Sequence, residues 1–284
     1  MEIHLDISAA QVYDDFFVPA LFAQWADPVA EAAGIQAGER VLDVACGTGA
    51  LTRAVKERAG PCGVVIGLDA NRAMLEVAGR KAPEITWREG TAEALPFDGA
   101  SFDAVVSQFG LMFFADRPGA VREMARVLRP GGRLAVAVWD ALDRSPGYAA
   151  LVSLLERLFG AAVANSLRAP FALGDTQALR SLFRDAGVAD LRVETRDGRA
   201  RFPGIRQWVH ADAKGWLQLD DEQSDRLYAA AETELRSFAG PGGVVSFSVP
   251  AHLVTAIRSG TPTGAGQRKR NGLLASPGCS RDTL

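Results

Sequence analysis

The sequence predicts an α/β protein built on a parallel sheet, and three observations predict it. Short apolar runs alternate with amphipathic helical stretches over the first half of the chain. These runs are nearly continuous rather than alternating, the pattern of strands covered on both faces. A glycine turn then separates the first run from the first strong helix, at the end of a strand where α/β sheets bind ligands.

The elements follow in order. Residues 9–33 have helical periodicity; Pro19 is expected to break that helix, and Asp27-Pro28 to restart it as a cap followed by proline at the first helical position. VLDVA, residues 41–45, opens the sheet, and residues 48–58 form a helix with Leu51, Ala54 and Val55 on one face and a stop at Gly60. A second strand spans 64–69. Asn71 caps a helix over 72–81, which Pro83 ends. A weaker third strand lies at 85–87 and a fourth at 102–107. Asp116 and Pro118 start a helix reaching 128, and Arg129-Pro130-Gly131-Gly132 is expected as a tight turn into the fifth strand, 132–139.

The second half is looser. Helices are expected at 148–159, 175–186, 205–219 and 221–238. Residues 191–202 read as a strand turning at Asp197-Gly198, and 244–249 as the last strand. From 260 the chain is rich in Gly, Ser, Thr and Pro without periodicity, and a disordered tail is expected at 260–284. The expected organisation is a helical cap (1–40), a ligand-binding core (41–140), the remainder of the fold (141–259) with a helical segment at about 204–239, and the tail.

Composition narrows the function classes. With 48% hydrophobic and 23% charged residues over 284 positions, the chain supports a full globular core. No apolar run reaches the ~18–20 residues of a membrane span, and the start lacks the cationic and apolar regions of a secretory signal. Cys46, Cys62 and Cys279 are too few and scattered for a disulfide framework, so a reducing, cytoplasmic setting is expected. A net charge of −3 argues against nucleic-acid or anionic-membrane partners. His4, His210 and His252 have no metal-ligand spacing, and no metal is expected.

The chemistry concentrates in VLDVACGTGALTRAV, residues 41–55. Gly47 and Gly49 let the chain turn sharply and a ligand approach the backbone. Asp69, at the end of the second strand, is placed to accept from both hydroxyls of a ribose. The turn is not a dinucleotide fingerprint, because Thr52 stands at the third glycine place, and no Gly-Lys-Ser/Thr follows for a phosphate loop. Asp43 beside the turn repels phosphates and attracts an amine, which suits a nucleoside carrying an ammonium group.

VLDVACGTG, GLDANRAML, GTAEALPF, SFDAVV and LRPGGRLAVAVWD, in that order, resemble the class I S-adenosylmethionine-dependent methyltransferases, nearest the ubiquinone/menaquinone-biosynthesis enzymes and their small-molecule relatives. The resemblance covers residues 13–140 well and the last strand loosely. It implies a Rossmann-like, seven-stranded, mostly parallel sheet with an antiparallel last strand, helices on both faces and a helical lid inserted between the last two strands. It implies S-adenosylmethionine as cofactor, S-adenosylhomocysteine as product, and methyl transfer to a small-molecule O, N or C nucleophile. Asp43, Ala45, Gly47 and Gly49 would surround the methionine part. Asp69 would hold the ribose, with Ala70 and Met74 beside the adenine and Thr91, Ala92 and Glu93 at its edge. Ser107 and Gln108 would lie beside the transferable methyl, and Tyr13 would fold over the cofactor. Ala45 and Ala50 replace motif glycines, and Thr91 stands where an aspartate is common.

The acceptor side is less defined. Phe109 is the expected pocket residue of the cluster Phe109, Met112, Phe113 and Phe114. Trp208, Asp212 and Trp216 recur at steps of four, so Trp208 and Trp216 either line an apolar acceptor pocket or fasten the lid to the core. His210, Gln108 and Tyr13 are the candidates for a catalytic role, although a solvated helix residue is the more ordinary reading of His210. No Asn-Pro-Pro-Tyr-type motif follows the fourth strand, which sets nucleic-acid bases and glutamine amides aside. The partner expected is a small molecule, with the protein a monomer or homodimer. Two rivals stand beside this reading: a catalytically silent metabolite-binding protein, and a nicotinamide-dependent oxidoreductase, for which the third glycine and a Tyr/Lys or His set are missing.

Overall fold

The computed structural model describes residues 7–188, 190–213, 217 and 219–259. The expected tail (260–284) and Trp216 lie outside the described residues. Seven strands form one sheet: β1 (Arg40–Val44), β2 (Val64–Asp69), β3 (Thr86–Glu89), β4 (Phe102–Gln108), β5 (Leu128–Trp139), β6 (Leu191–Arg196) and β9 (Ala251–Ile257). Their order is β3-β2-β1-β4-β5-β9-β6, with β9 antiparallel to both neighbours and the pairings among β1 to β5 parallel. β7 (Arg199–Phe202) and β8 (Val245–Ser248) pair in a separate antiparallel ribbon.

The central strands read as continuous apolar runs because helices cover both faces. Val41, Leu42, Ala104, Val105, Val136 and Val138 are all essentially inaccessible. The helices are α1 (Ile7–Val12), α2 (Ala23–Ala32), α3 (Ala50–Ala59), α4 (Arg72–Lys81), α5 (Arg117–Val127), α6 (Pro146–Phe159), α7 (Ala161–Arg168), α8 (Thr176–Asp185), α9 (Ile205–Asp212) and α10 (Asp221–Glu234). The caps follow the sequence: Asn71 accepts from the Ala73 and Met74 amides, Asp116 from Gly119, and Asp175 from Gln177 and Ala178. Among the described residues no helix is long and apolar enough to cross a membrane.

Four expectations need correction. The N-terminal helix does not break at Pro19. Residues Tyr13–Phe22 form a π-helical stretch joining α1 to α2, and the Ala23 amide reaches back five residues to the Val18 carbonyl. The wider turn gives the pyrrolidine ring room and skips the bond that proline cannot donate. Nor does the helix restart at Asp27-Pro28, since α2 runs through both.

The segment 244–249 is not the last strand of the main sheet. β8 pairs with β7, and the sheet's final strand is AHLVTAI after Pro250, a run the periodicity did not single out. Pro250 has no amide to donate and marks the passage between the two sheets, with its carbonyl taken by the Asp140 amide. The expected turn at Asp197-Gly198 is present and sends β6 to the sheet and β7 to the ribbon; a Cβ on Gly198 would come within 2.3 Å of the Trp25 ring. Lastly, residues 129–132 belong to β5 itself: its register shifts there, and Gly131 and Gly132 exchange hydrogen bonds with Arg258.

β9 is held by a buried histidine. His252 Nδ1 lies 2.9 Å from Thr195 Oγ1, while Nε2 lies 2.9 Å from the Gly174 carbonyl and 3.1 Å from Asp140 Oδ1. His252 is therefore a structural tie between β6, β9 and the end of β5.

Candidate active site

β1 has β2 on one side and β4 on the other, so the order of the sheet reverses at its carboxyl end, the place where open α/β sheets form a ligand crevice. Backbone strain gathers there. Ala45, directly after β1, has φ 58°, and Phe109, directly after β4, has φ 55°. A left-handed conformation costs a residue with a Cβ about 1–2 kcal/mol. Gly47 (φ 54°) and Gly49 (φ 82°) continue the turn without that cost.

Asp43 is buried at the centre of the site. Its Oδ2 accepts a 2.6 Å hydrogen bond from Thr52 Oγ1, so the residue at the third glycine place orients the carboxylate. Its Oδ1 has no partner. Burial raises the Asp43 pKa to about 7; the Thr52 bond opposes the rise and the Asp69 charge adds to it. Asp69 spends both oxygens on backbone: Oδ2 accepts from the Gly47 amide and Oδ1 from the Asn71 amide, each at 2.8 Å. Burial raises its pKa while these amides oppose the rise. A carboxylate offers about four lone-pair sites, so these two amides leave acceptor capacity on Asp69.

A cavity of about 30 Å³ lies at the turn, lined by Tyr13, Phe22, Asp43, Cys46, Thr48 and Gln108 among others. It has room for one or two waters. Tyr13 closes it: the ring stacks on Phe22 at 5.3 Å, and its Cε1 is 4.0 Å from where a Gly47 Cβ would be. Burial, with the charges of Asp69 and Asp14 nearby, pushes the phenol far up. Burial also pushes the Cys46 thiol well up, which removes it as a nucleophile.

Other expected residues are spread around this centre. Met74 packs in a small cluster with Ala10 and Val77, against Tyr13. Ala70 and Thr91 are exposed, Ala92 is buried, and Glu93 accepts from the Ala115 amide at 3.0 Å. None of these four lines the small cavity. Gln108 does: Nε2 donates to the Phe22 carbonyl at 3.1 Å, and Oε1 is buried without a partner, as is Ser107 Oγ.

For the acceptor pocket one expectation is corrected, at Phe109, and one pair of alternatives is decided, at Trp208. Phe109 stacks on Trp139 at 3.6 Å with an 11° interplanar angle, edge-on to Trp25, and lines neither of the two cavities described here. Trp208 is fully buried, stacked on Phe202 at 5.6 Å and 4.8 Å from the Phe247 ring, so it fastens α9 to the β7–β8 ribbon. Burial wins for both because the aromatic neighbours are supplied by elements remote in sequence. His210 lines the larger cavity, of about 790 Å³, and its Nδ1 lies 2.7 Å from the Tyr228 hydroxyl.

Sequence reasoning missed Trp87. Its indole fills the bare faces of Gly49 and Gly67, where added Cβ atoms would fall 2.4 and 2.5 Å from ring carbons, and its Nε1 donates to the Ala82 carbonyl at 2.9 Å. The bare face of Gly49 thus receives an indole, not a ligand. Gly67 within an apolar strand was the available signal, since a strand glycine often marks a close approach.

Comparison with known proteins agrees with this geometry. Residues 42–136 match the family model described as Methyltransferase domain. The demethylmenaquinone methyltransferase of Staphylococcus epidermidis is 36% identical over 205 residues, covering 67% of this chain and 85% of that one. The ubiquinone/menaquinone biosynthesis C-methyltransferase UbiE of Hahella chejuensis is 41% identical over 138 residues, covering 45% of this chain, which spans only 55% of that relative. The crystal structure of the YcgJ protein of Bacillus subtilis shares the fold, with a TM-score of 0.57 at 23% identity over 84% of this chain and 99% of that one. The chain belongs to the class I S-adenosylmethionine-dependent methyltransferases, in the ubiquinone/menaquinone-biosynthesis branch.

Proposed function

We propose that this protein transfers a methyl group to a ring carbon of a small hydroxylated aromatic acceptor. One observation carries the cofactor half of the reading. Asp43 Oδ1, Thr48 Oγ1 and Gln108 Oε1 are buried, lack partners and belong to residues lining one small cavity. All three can accept, and only the Thr48 hydroxyl, and Asp43 while protonated, can also donate, so together they suit an ammonium group once Asp43 is ionised. The residues present therefore fit the amino-acid end of S-adenosylmethionine. Asp43, Thr48 and Gln108 would hold that end, Gly47 would leave it room, and Asp69 would take the ribose. Ala70, Met74 and the 91–93 segment are proposed for the adenine, and Tyr13 for the cover.

When bound, the cofactor would supply an electrophilic methyl on a sulfonium; the S–CH3 bonding pair would leave with S-adenosylhomocysteine as the carbon–carbon bond forms, and the ring carbon would give up its proton to solvent. The protein's part is alignment, worth ~7–11 kcal/mol in favourable cases. Carbon as the nucleophile is favoured by the names of the relatives, which describe a C-methyltransferase and a demethylmenaquinone methyltransferase. The helical segment around α9 and α10 is proposed as the acceptor lid, in a cytoplasmic enzyme without nucleic-acid substrates.

The test uses labelled S-adenosylmethionine with 1,4-naphthohydroquinone. We expect label in the ring carbon, and Asp69→Ala to weaken S-adenosylhomocysteine binding by more than ~10-fold in calorimetry, about 1.4 kcal/mol. Tight binding without transfer to any hydroxylated ring would instead select the catalytically silent alternative.

A further inference from the structure

The cavity of about 790 Å³ lies away from the glycine turn, between the N-terminal helix and the α9–α10 pair, and has the size of a small-molecule site. Val12 and Phe16 line it, one turn apart on one helix face. Arg206 and His210, four apart on α9, line it with Asp225 and Tyr228 of α10. The polar groups are organised. His210 Nδ1 is 2.7 Å from the hydroxyl of Tyr228, whose side chain is buried, and the Arg206 guanidinium lies 4.6 Å over the Tyr228 ring. Among the described residues Nε2 of His210 has no hydrogen-bond partner.

We propose that this cavity is the chamber that receives the methyl acceptor, and that the His210–Tyr228 pair holds the acceptor's ring hydroxyl there. The proposal rests on the methyl-transfer reading above. A hydroxyl both donates and accepts, so it satisfies the pair in either histidine tautomer. Arg206 is paired with Glu232 at 3.8 Å and shares the lining with Asp221 and Asp225, so the acceptor is selected through its hydroxyl rather than through charge, and the Val12–Phe16 stripe favours a flat apolar body. One helix links the chamber to the cofactor side. Phe16 stacks on Phe202 at 5.6 Å and meets the next ring, Phe17, edge-on at 5.6 Å, while Tyr13 of the same helix lies over Gly47. One helix separates chamber from turn: its Val12–Phe16 stripe faces the first, and Tyr13 on the adjacent stripe faces the second. His210 and Tyr228 are thus specificity residues for the acceptor, brought together by the packing of α9 on α10.

The test uses the full chain with S-adenosylhomocysteine present and 2-naphthol, a redox-stable hydroxylated ring, as the probe. Gln207→Trp puts bulk on an exposed residue of the chamber lining, and Tyr228→Phe removes one hydroxyl without changing the ring. Each is expected to weaken 2-naphthol binding about 10-fold, with S-adenosylhomocysteine affinity kept within about two-fold of wild type. No 2-naphthol binding to wild type, or unchanged affinity in both variants, overturns the proposal. Methyl transfer to 1,4-naphthohydroquinone separates the two readings. If 2-naphthol binding follows the variants while wild type transfers no methyl, the chamber stands and the methyl-transfer reading falls. If transfer proceeds with unchanged KM in both variants, the chamber falls and methyl transfer stands.

Discussion

Asp43 shows how one side chain is tuned by its place. Its backbone belongs to an apolar strand end, its Oδ2 is held by Thr52 at 2.6 Å, and burial raises its pKa to about 7. A carboxyl in this state is poised to lose its proton when a cation arrives. Binding of S-adenosylhomocysteine through its ammonium group should therefore release a proton at pH 6 and much less at pH 8. Calorimetry in buffers of different ionisation enthalpy measures this directly, and Asp43→Asn should abolish the difference. Nearby, Ala45 keeps a left-handed backbone although it carries a Cβ, so the conformation is imposed by the turn and not by the residue.

At the scale of elements, the helical run from Ile7 to Ala32 is the proposed cover of the cofactor site. Its π-helical middle places Tyr13 over Gly47 and closes the small cavity. A cofactor of adenosyl size does not fit 30 Å³, so binding at the proposed site would require this segment to shift outward and repack afterwards. Amide hydrogen exchange in residues 7–22 should slow by about 10-fold or more when S-adenosylhomocysteine is bound, reflecting at least ~1.4 kcal/mol of added local stability. Tyr13→Ala should remove most of that protection, and equal exchange in free and bound protein would show that the segment is not the cover. The β7–β8 ribbon plays the complementary part for α9, through the Trp208, Phe202 and Phe247 rings.

For the whole molecule, two buried carboxyls set the pH dependence of stability. Asp43 is raised to about 7, and Asp212, buried beside Tyr148 and Trp208, is raised by burial to about 8. Both lie above the ordinary value of 3.8, so the native state holds protons that the unfolded chain has lost. Their contribution is complete below pH 3.8 and is lost as pH rises through 7 and 8. Each group makes stability fall by about 1.4 kcal/mol per pH unit within its window. Denaturant titrations should therefore show lower stability at pH 9 than at pH 5. Asp212→Asn should flatten the upper part of that slope, and an unchanged slope would mean that Asp212 is solvated in the native state.

Much of the architecture was legible in the residues themselves. Apolar runs specified the first, second, fourth and fifth strands, and Asn71 and Asp116 specified helix starts, because hydrophobic period and capping are local properties. The glycine turn with Asp43 and Asp69 was legible for the same reason: strand, bend and helix follow one another within a few residues. Tertiary structure alone decided the rest. It sent 245–248 into a ribbon and 251–257 into the sheet, carried the helix through Pro19, and spent Asp69 on the Gly47 and Asn71 amides. It also set Trp87 against two glycines and His210 beside Tyr228. Each of these outcomes depends on which distant surface a residue meets, and the free energy of that meeting is not written in any local pattern.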